Sequence, residues 1–335
     1  MTTRAQTVTV RSAAAVLVAL AVGAVHAQAP SAEWTPPRTT WGDPDLQGSF
    51  TNLYENGTPF ERPDEFAGRR LEDITGEELR QIRQGIEDAT REFWSAGDGH
   101  GGARWWWMDS LNHERGGQAW MVVDPPDGKI PALTIEGERR AAGRAEARRA
   151  SGRGPADSWI DRSLYDRCIT RGLPGSMMPA IYGNSYQIVQ TPGYVAIRYE
   201  MIHETRVIPL DARPHLGPDV RQYMGDARGR WDGDTLVVET TNFRDESTYR
   251  GAHADTLRLV ERFRRVAPDK VQWAVTVEDP RTWTRSWTFA VPLTLAADEP
   301  VFEYACHEGN YAIGNILSGA RAEEAAAAQT SAGAR

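Results

Sequence analysis

What this 335-residue chain lacks narrows its chemistry first. It has no Gly-x-Ser-x-Gly elbow, no phosphate-cradling glycine loop and no dinucleotide fingerprint, so serine hydrolase, kinase and Rossmann readings have no support. Its scattered histidines, among them His203, His215 and His307, fall into no His-x-His or His-Glu-x-x-His pattern, and there is no Cys-x-x-Cys. No metal and no cofactor is expected on those grounds. Basic residues are nowhere concentrated and the formal net charge is -8, which excludes a nucleic-acid partner. No repeat at solenoid periods is visible, and beyond the N-terminus no apolar run approaches the length of a membrane helix.

That N-terminal run is the first feature present. Arg4 and Arg11 precede an apolar stretch from Ala13 to Val25, and Val25, His26 and Ala27 offer small residues at a cleavage site. Residues 1–27 are therefore expected to be a removed export signal rather than a membrane anchor, placing the chain in the periplasm or outside the cell. The only two cysteines, Cys168 and Cys306, then meet an oxidising compartment. They are expected to form a disulfide, with two buried thiols as the alternative.

The remaining chain is expected to be mainly β. From Leu257 to Phe263, Val271 to Val277 and Trp283 to Val291, large apolar residues alternate with polar or small ones, the period-2 signature of antiparallel strands with one buried face. Turns at Trp231–Asp234, Pro268–Asp269 and Asp279–Pro280 separate them. Upstream, Tyr186–Gln190, Tyr194–Tyr199 and Met201–Pro209 read as a meander, with Pro192 and Gly193 as the central pair of a type II turn. With Gln118–Asp124 and a last strand at Val301–Cys306, the expected fold is an antiparallel up-and-down, lipocalin-like barrel of about eight strands. Residues 28–117 read as an extended and helical arm packed on that barrel. Its helix begins at Thr75, where Glu78 completes a capping box, and a loop with Trp105, Trp106 and Trp107 follows. The barrel domain spans 118–321, interrupted by a solvent-exposed helix near 135–153, and 322–335 reads as a flexible tail.

Candidate chemistry lies where ionisable residues interrupt apolar faces. Glu261 and Arg285 fall on otherwise oily faces, and an isolated buried charge is too costly, so they are expected to pair or face a ligand. On the Met201–Pro209 strand, alternation sends His203 inward with Met201 and Val207, and Glu204 and Arg206 to the other face. His307, Glu308 and Asn310 follow the last strand at a barrel rim. Taken together, His203, Glu261, Arg285 and His307 form a candidate acid–base set. Arg206, Trp106, Trp273, Trp283, Trp287, Glu308 and Asn310 are the candidate binding residues.

Tyr186 to Gly193, Glu200 to Glu204, Arg228 to Val238, Val277 to Arg285 and Glu303 to Asn310 together resemble a family of secreted, largely uncharacterised bacterial proteins. The resemblance covers most of the mature chain, including Asp124 to Gly128. It implies export and carries no activity and no residue role. Two functions stay open: an exported enzyme of lyase, isomerase or hydrolase type working on a small, partly apolar or aromatic molecule without cofactor, and a lipocalin-like carrier in which nothing reacts. The first requires the histidines to share a cavity with Glu261 and Arg285; the second needs only the tryptophans.

Overall fold

A computed structural model of the chain describes residues 34–95, 116–180, 182–298 and 300–333. Trp106 and the proposed leader lie outside the described residues. The fold is mainly β, a nearly closed antiparallel barrel. Its strands are β1 (Gly48–Thr51), β2 (Val122–Asp124), β3 (Ser185–Thr191), β4 (Tyr194–Tyr199), β5 (Thr205–Pro209), β6 (Asp226–Asp232), β7 (Thr235–Thr241), β8 (Arg258–Ala267), β9 (Lys270–Glu278) and β10 (Trp287–Leu295). Hydrogen-bonded neighbours run β5-β4-β3-β1-β10-β9-β8-β7-β6, and β2 pairs with the first half of β10 while β1 takes its second half. Among the described residues three helices accompany them: α1 (Gly76–Ser95), α2 (Ile135–Ala150) and α3 (Ala312–Gly333).

The topology is two meanders joined by β1, which pairs antiparallel with both β3 and β10. This corrects the pure arm reading of residues 28–117, since that stretch supplies a barrel strand. Four residues containing a glycine are too short for period-2 alternation to be read. Other boundaries also move. Val301–Cys306 forms no strand, and a helix that begins at Ala312 continues through residues 322–333, where a flexible tail was expected. Met201–His203 is a 3-10 turn, so β5 begins only at Thr205. Likewise β10 begins at Trp287, leaving Trp283 and Arg285 in the preceding turn.

Interior positions are filled by large side chains. Phe50, Tyr186, Tyr199, Phe263, Trp273, Trp287 and Phe289 are all fully buried in one cluster that runs through the whole barrel. Trp273 meets Phe289 edge-on with centroids 5.6 Å apart, and Trp283 meets Trp287 at the same separation. The barrel centre is thus a packed core rather than a cavity. Outside it, α1 is pinned by a second buried ion pair, Arg83 with Glu55 at 3.2 Å, while Glu55 also accepts from Gly117 N. Glu78 pairs with Arg69.

The barrel closes without a ladder between β5 and β6, the two ends of the strand order. Gly229 on β6 makes that approach possible: a Cβ there would stand 2.6 Å from Leu210 Cδ2 and 2.8 Å from Ile208 Cγ2. Cys168 and Cys306 are joined in a disulfide, with Cα atoms 5.8 Å apart and 138 residues of sequence between them. It ties the segment before β3 to the segment after β10.

Two stability measurements check this closure. Gly229→Val should push β5 from β6 and lower the unfolding free energy by about 1–3 kcal/mol in urea, as overpacking does. An unchanged midpoint contradicts close contact at the seam. Replacing both cysteines by serine should cost about 3–5 kcal/mol, because the loop released is long, and a loss under about 1 kcal/mol contradicts that role for the crosslink.

Candidate functional site

Polar groups inside the barrel begin with Glu261, which β8 directs inward between Leu259 and Phe263. Its partner is Arg206 on β5. Arg206 Nη1 lies 2.5 Å from Glu261 Oε2 and Nη2 lies 3.0 Å from Oε1, a bidentate pair with both residues almost completely buried. Trp273 Nε1 donates to Glu261 Oε1 at 3.1 Å. Burial works against the charge of Arg206, but the carboxylate of Glu261 outweighs it and holds the guanidinium pKa above its usual range. Tyr199 stands beside them; burial pushes its phenol up, so it stays neutral. Both carboxylate oxygens and both Nη atoms are engaged in this pair, Arg206 Nε is shielded without a partner, and large side chains surround them.

Arg285 does not join this group. Its side chain is 52% exposed and bonds Asp124 on the outside of the barrel, with Nη2 3.1 Å from Oδ1. The expected Glu261–Arg285 pair is thereby replaced by Glu261–Arg206. The cause is phase. In the Met201–His203 turn, Ile202 adopts a left-handed φ of 61°, and the alternation of β5 restarts after it. Arg206 and Ile208 therefore face inward while Val207 is exposed, the reverse of the expected orientation. His203 lies in that turn, and its side chain is outside the described residues. His307 and Glu308 are exposed beyond the disulfide, so neither reaches the buried carboxylate. Trp273, Trp283 and Trp287 are core residues with 0–3% exposure, and line no open space. Among the described residues no group of three or more His, Cys, Asp or Glu is arranged to hold a metal.

A different set of residues gathers at one end of the barrel. Residues 164–180 and 182–184 cover that end as a cap. Its 3-10 turn Gly175–Met177 inserts Met177 into the core, and Asn52 Nδ2 holds Met177 O at 2.7 Å. Thr170 Oγ1 donates to Glu204 Oε2 at 2.8 Å, and Glu200 Oε2 accepts from Ser185 N at 3.1 Å, so both rim carboxylates are engaged. Asn310 Nδ2 donates to Asp166 O at 3.0 Å and approaches Cys168 Sγ at 3.2 Å, packing the post-disulfide segment on the cap.

Between cap and rim lie three half-buried tyrosines. Tyr165 and Tyr182 hydroxyls are 3.3 Å apart, and the Tyr182 and Tyr304 rings stack with centroids 6.1 Å apart and planes at 20°. Burial, then the contact with Tyr182, pushes the Tyr304 phenol up to about 12, and the same causes push Tyr165 up. Both remain neutral hydroxyls, donors and acceptors rather than bases. Arg171 completes the group, its guanidinium 5.3 Å from the centroid of the Tyr165 ring.

None of Tyr165, Arg171, Tyr182 and Tyr304 stood out in the sequence. A signal was present, however. Arg171 follows Cys168 by three residues and Tyr304 precedes Cys306 by two. Once those cysteines are joined, their neighbours must share one surface.

No protein-family model matches the chain, and neither does any curated protein or solved structure. The site's own geometry therefore carries the functional argument.

If Glu261 and Arg206 form a structural clamp, Glu261→Gln should destabilise the fold by about 3–5 kcal/mol in chemical denaturation, because it strands a buried guanidinium. The double replacement Arg206→Leu with Glu261→Leu should recover most of that loss. Equal losses in single and double variants contradict a mutually satisfied pair.

Proposed function

We propose that this chain is an exported lipocalin-like binding protein that holds a small, partly apolar molecule at the capped end of its barrel and performs no chemistry on it. The observation that carries this reading is the placement of the tyrosines. Tyr165, Tyr182 and Tyr304 are half-buried between two segments that the Cys168–Cys306 disulfide joins, above a core with no room for a ligand. Rings with neutral hydroxyls are suited to a planar molecule with few polar groups. The acid–base enzyme of lyase, isomerase or hydrolase type needs His203, Glu261, Arg285 and His307 around one cavity. With Glu261 sealed on Arg206, and Arg285 and His307 at the surface, the geometry favours binding.

Export is supported by the disulfide, a bond of oxidising compartments. The leader pattern of residues 1–27 and the resemblance to secreted bacterial proteins point the same way. Among the described residues no helix is long and apolar enough to cross a membrane. A small molecule is the partner this reading assigns. The acidic chain has no feature that would draw nucleic acid.

The test is binding of N-phenyl-1-naphthylamine, a neutral aromatic probe that brightens in apolar surroundings, to the disulfide-intact mature protein. Saturable binding is expected, weakened about tenfold by Tyr182→Ala, equivalent to about 1.4 kcal/mol. Absence of binding, or binding indifferent to Tyr182→Ala in a variant that melts normally, overturns the reading.

A further inference from the structure

Two buried arginines are matched by carboxylates, Arg206 by Glu261 and Arg83 by Glu55. Others with shielded nitrogens, Arg62, Arg140 and Arg265, donate to carbonyl or hydroxyl oxygens. Arg171 does neither. It is half-buried under the cap, yet among the described residues it makes no ion pair and no hydrogen bond, and its Nη1 is shielded from solvent without a partner. Its guanidinium stands over the face of Tyr165, at 5.3 Å, which supplies attraction but no countercharge. The rim carboxylates accept from neutral donors, Glu204 from Thr170 and Glu200 from the Ser185 amide, and neither pairs with it. Asp166 pairs with Arg162 at 3.0 Å.

A guanidinium nitrogen shielded from water without a partner calls for an acceptor, and a planar fork of N–H donors fits a carboxylate or sulfonate oxygen pair best. We infer that Arg171 is the anion-binding residue of the capped end, and that the ligand is a small aromatic acid. Its ring lies among Tyr165, Tyr182 and Tyr304, and its carboxylate or sulfonate meets Arg171. The tyrosine hydroxyls add neutral donors to the same anion.

This inference rests on the capped end being the ligand site, and two probes separate the two ideas. N-phenyl-1-naphthylamine and 1-anilinonaphthalene-8-sulfonate share one aromatic body and differ in the sulfonate. The disulfide-intact protein should bind the sulfonate at least about tenfold more tightly than the neutral amine. Arg171→Gln should remove that advantage and leave the neutral probe within about twofold, while Arg171→Lys, which keeps the charge without the fork, should restore part of it. Thermal melting of each variant shows that it folds. In the unmutated protein, added salt should weaken the sulfonate and leave the amine unchanged, a readout that depends on no variant. Equal affinities for both probes, or an Arg171→Gln variant that loses both equally, overturn the anion site and leave the aromatic site standing. Binding of neither probe overturns both.

Discussion

The barrel depends on one buried ion pair because its sheet never closes by hydrogen bonds. Backbone pairing stops at β5 on one side and β6 on the other, and apolar side chains meet across Gly229 between them. Arg206 leaves β5 and reaches Glu261 on β8, the third strand beyond the seam, so the pair spans the gap from inside. Two charges buried together are costly to desolvate, and their attraction offsets that cost only when the geometry is good. Here both guanidinium Nη atoms and both carboxylate oxygens are engaged, and Trp273 adds a donor to Oε1. Such a pair has little capacity left for a substrate. Stability and catalysis make opposite demands on the same two side chains, and this geometry serves the first.

With the centre committed to packing, half-buried polar surface collects at the capped end. The cap enters the core through Met177, and the disulfide fixes its base to the segment after β10. That crosslink brings Tyr304 to Tyr182 although the two are far apart in sequence. Closure by the ion pair, capping of one barrel end and fastening by the disulfide are therefore successive conditions for one site.

Much of the sheet was legible because alternation survives in long strands. Leu259, Glu261 and Phe263 face inward as the pattern demands, as do Trp273, Val275 and Val277. Legibility failed wherever a turn resets the phase. The left-handed Ile202 reversed β5, turning Arg206 in and Val207 out, and the turn before Trp287 carried Arg285 to the surface. Alternation cannot be extrapolated across such points, since one residue of slip exchanges the faces. Glu261 was visible as an oddity on an oily face, but its partner was not, because Arg206 meets it only through barrel closure. The tyrosine and arginine cluster has no local pattern at all; it exists through the disulfide and the cap.

The most direct measurement is an amide and indole chemical-shift map of the labelled protein titrated with N-phenyl-1-naphthylamine. The account predicts shifts confined to the cap and its neighbours, around Tyr165, Arg171, Tyr182 and Tyr304, with the indole N–H of Trp273 unmoved on Glu261. Shifts centred on Trp273, Glu261 and Arg206, with the cap silent, would contradict it and place the ligand inside the barrel.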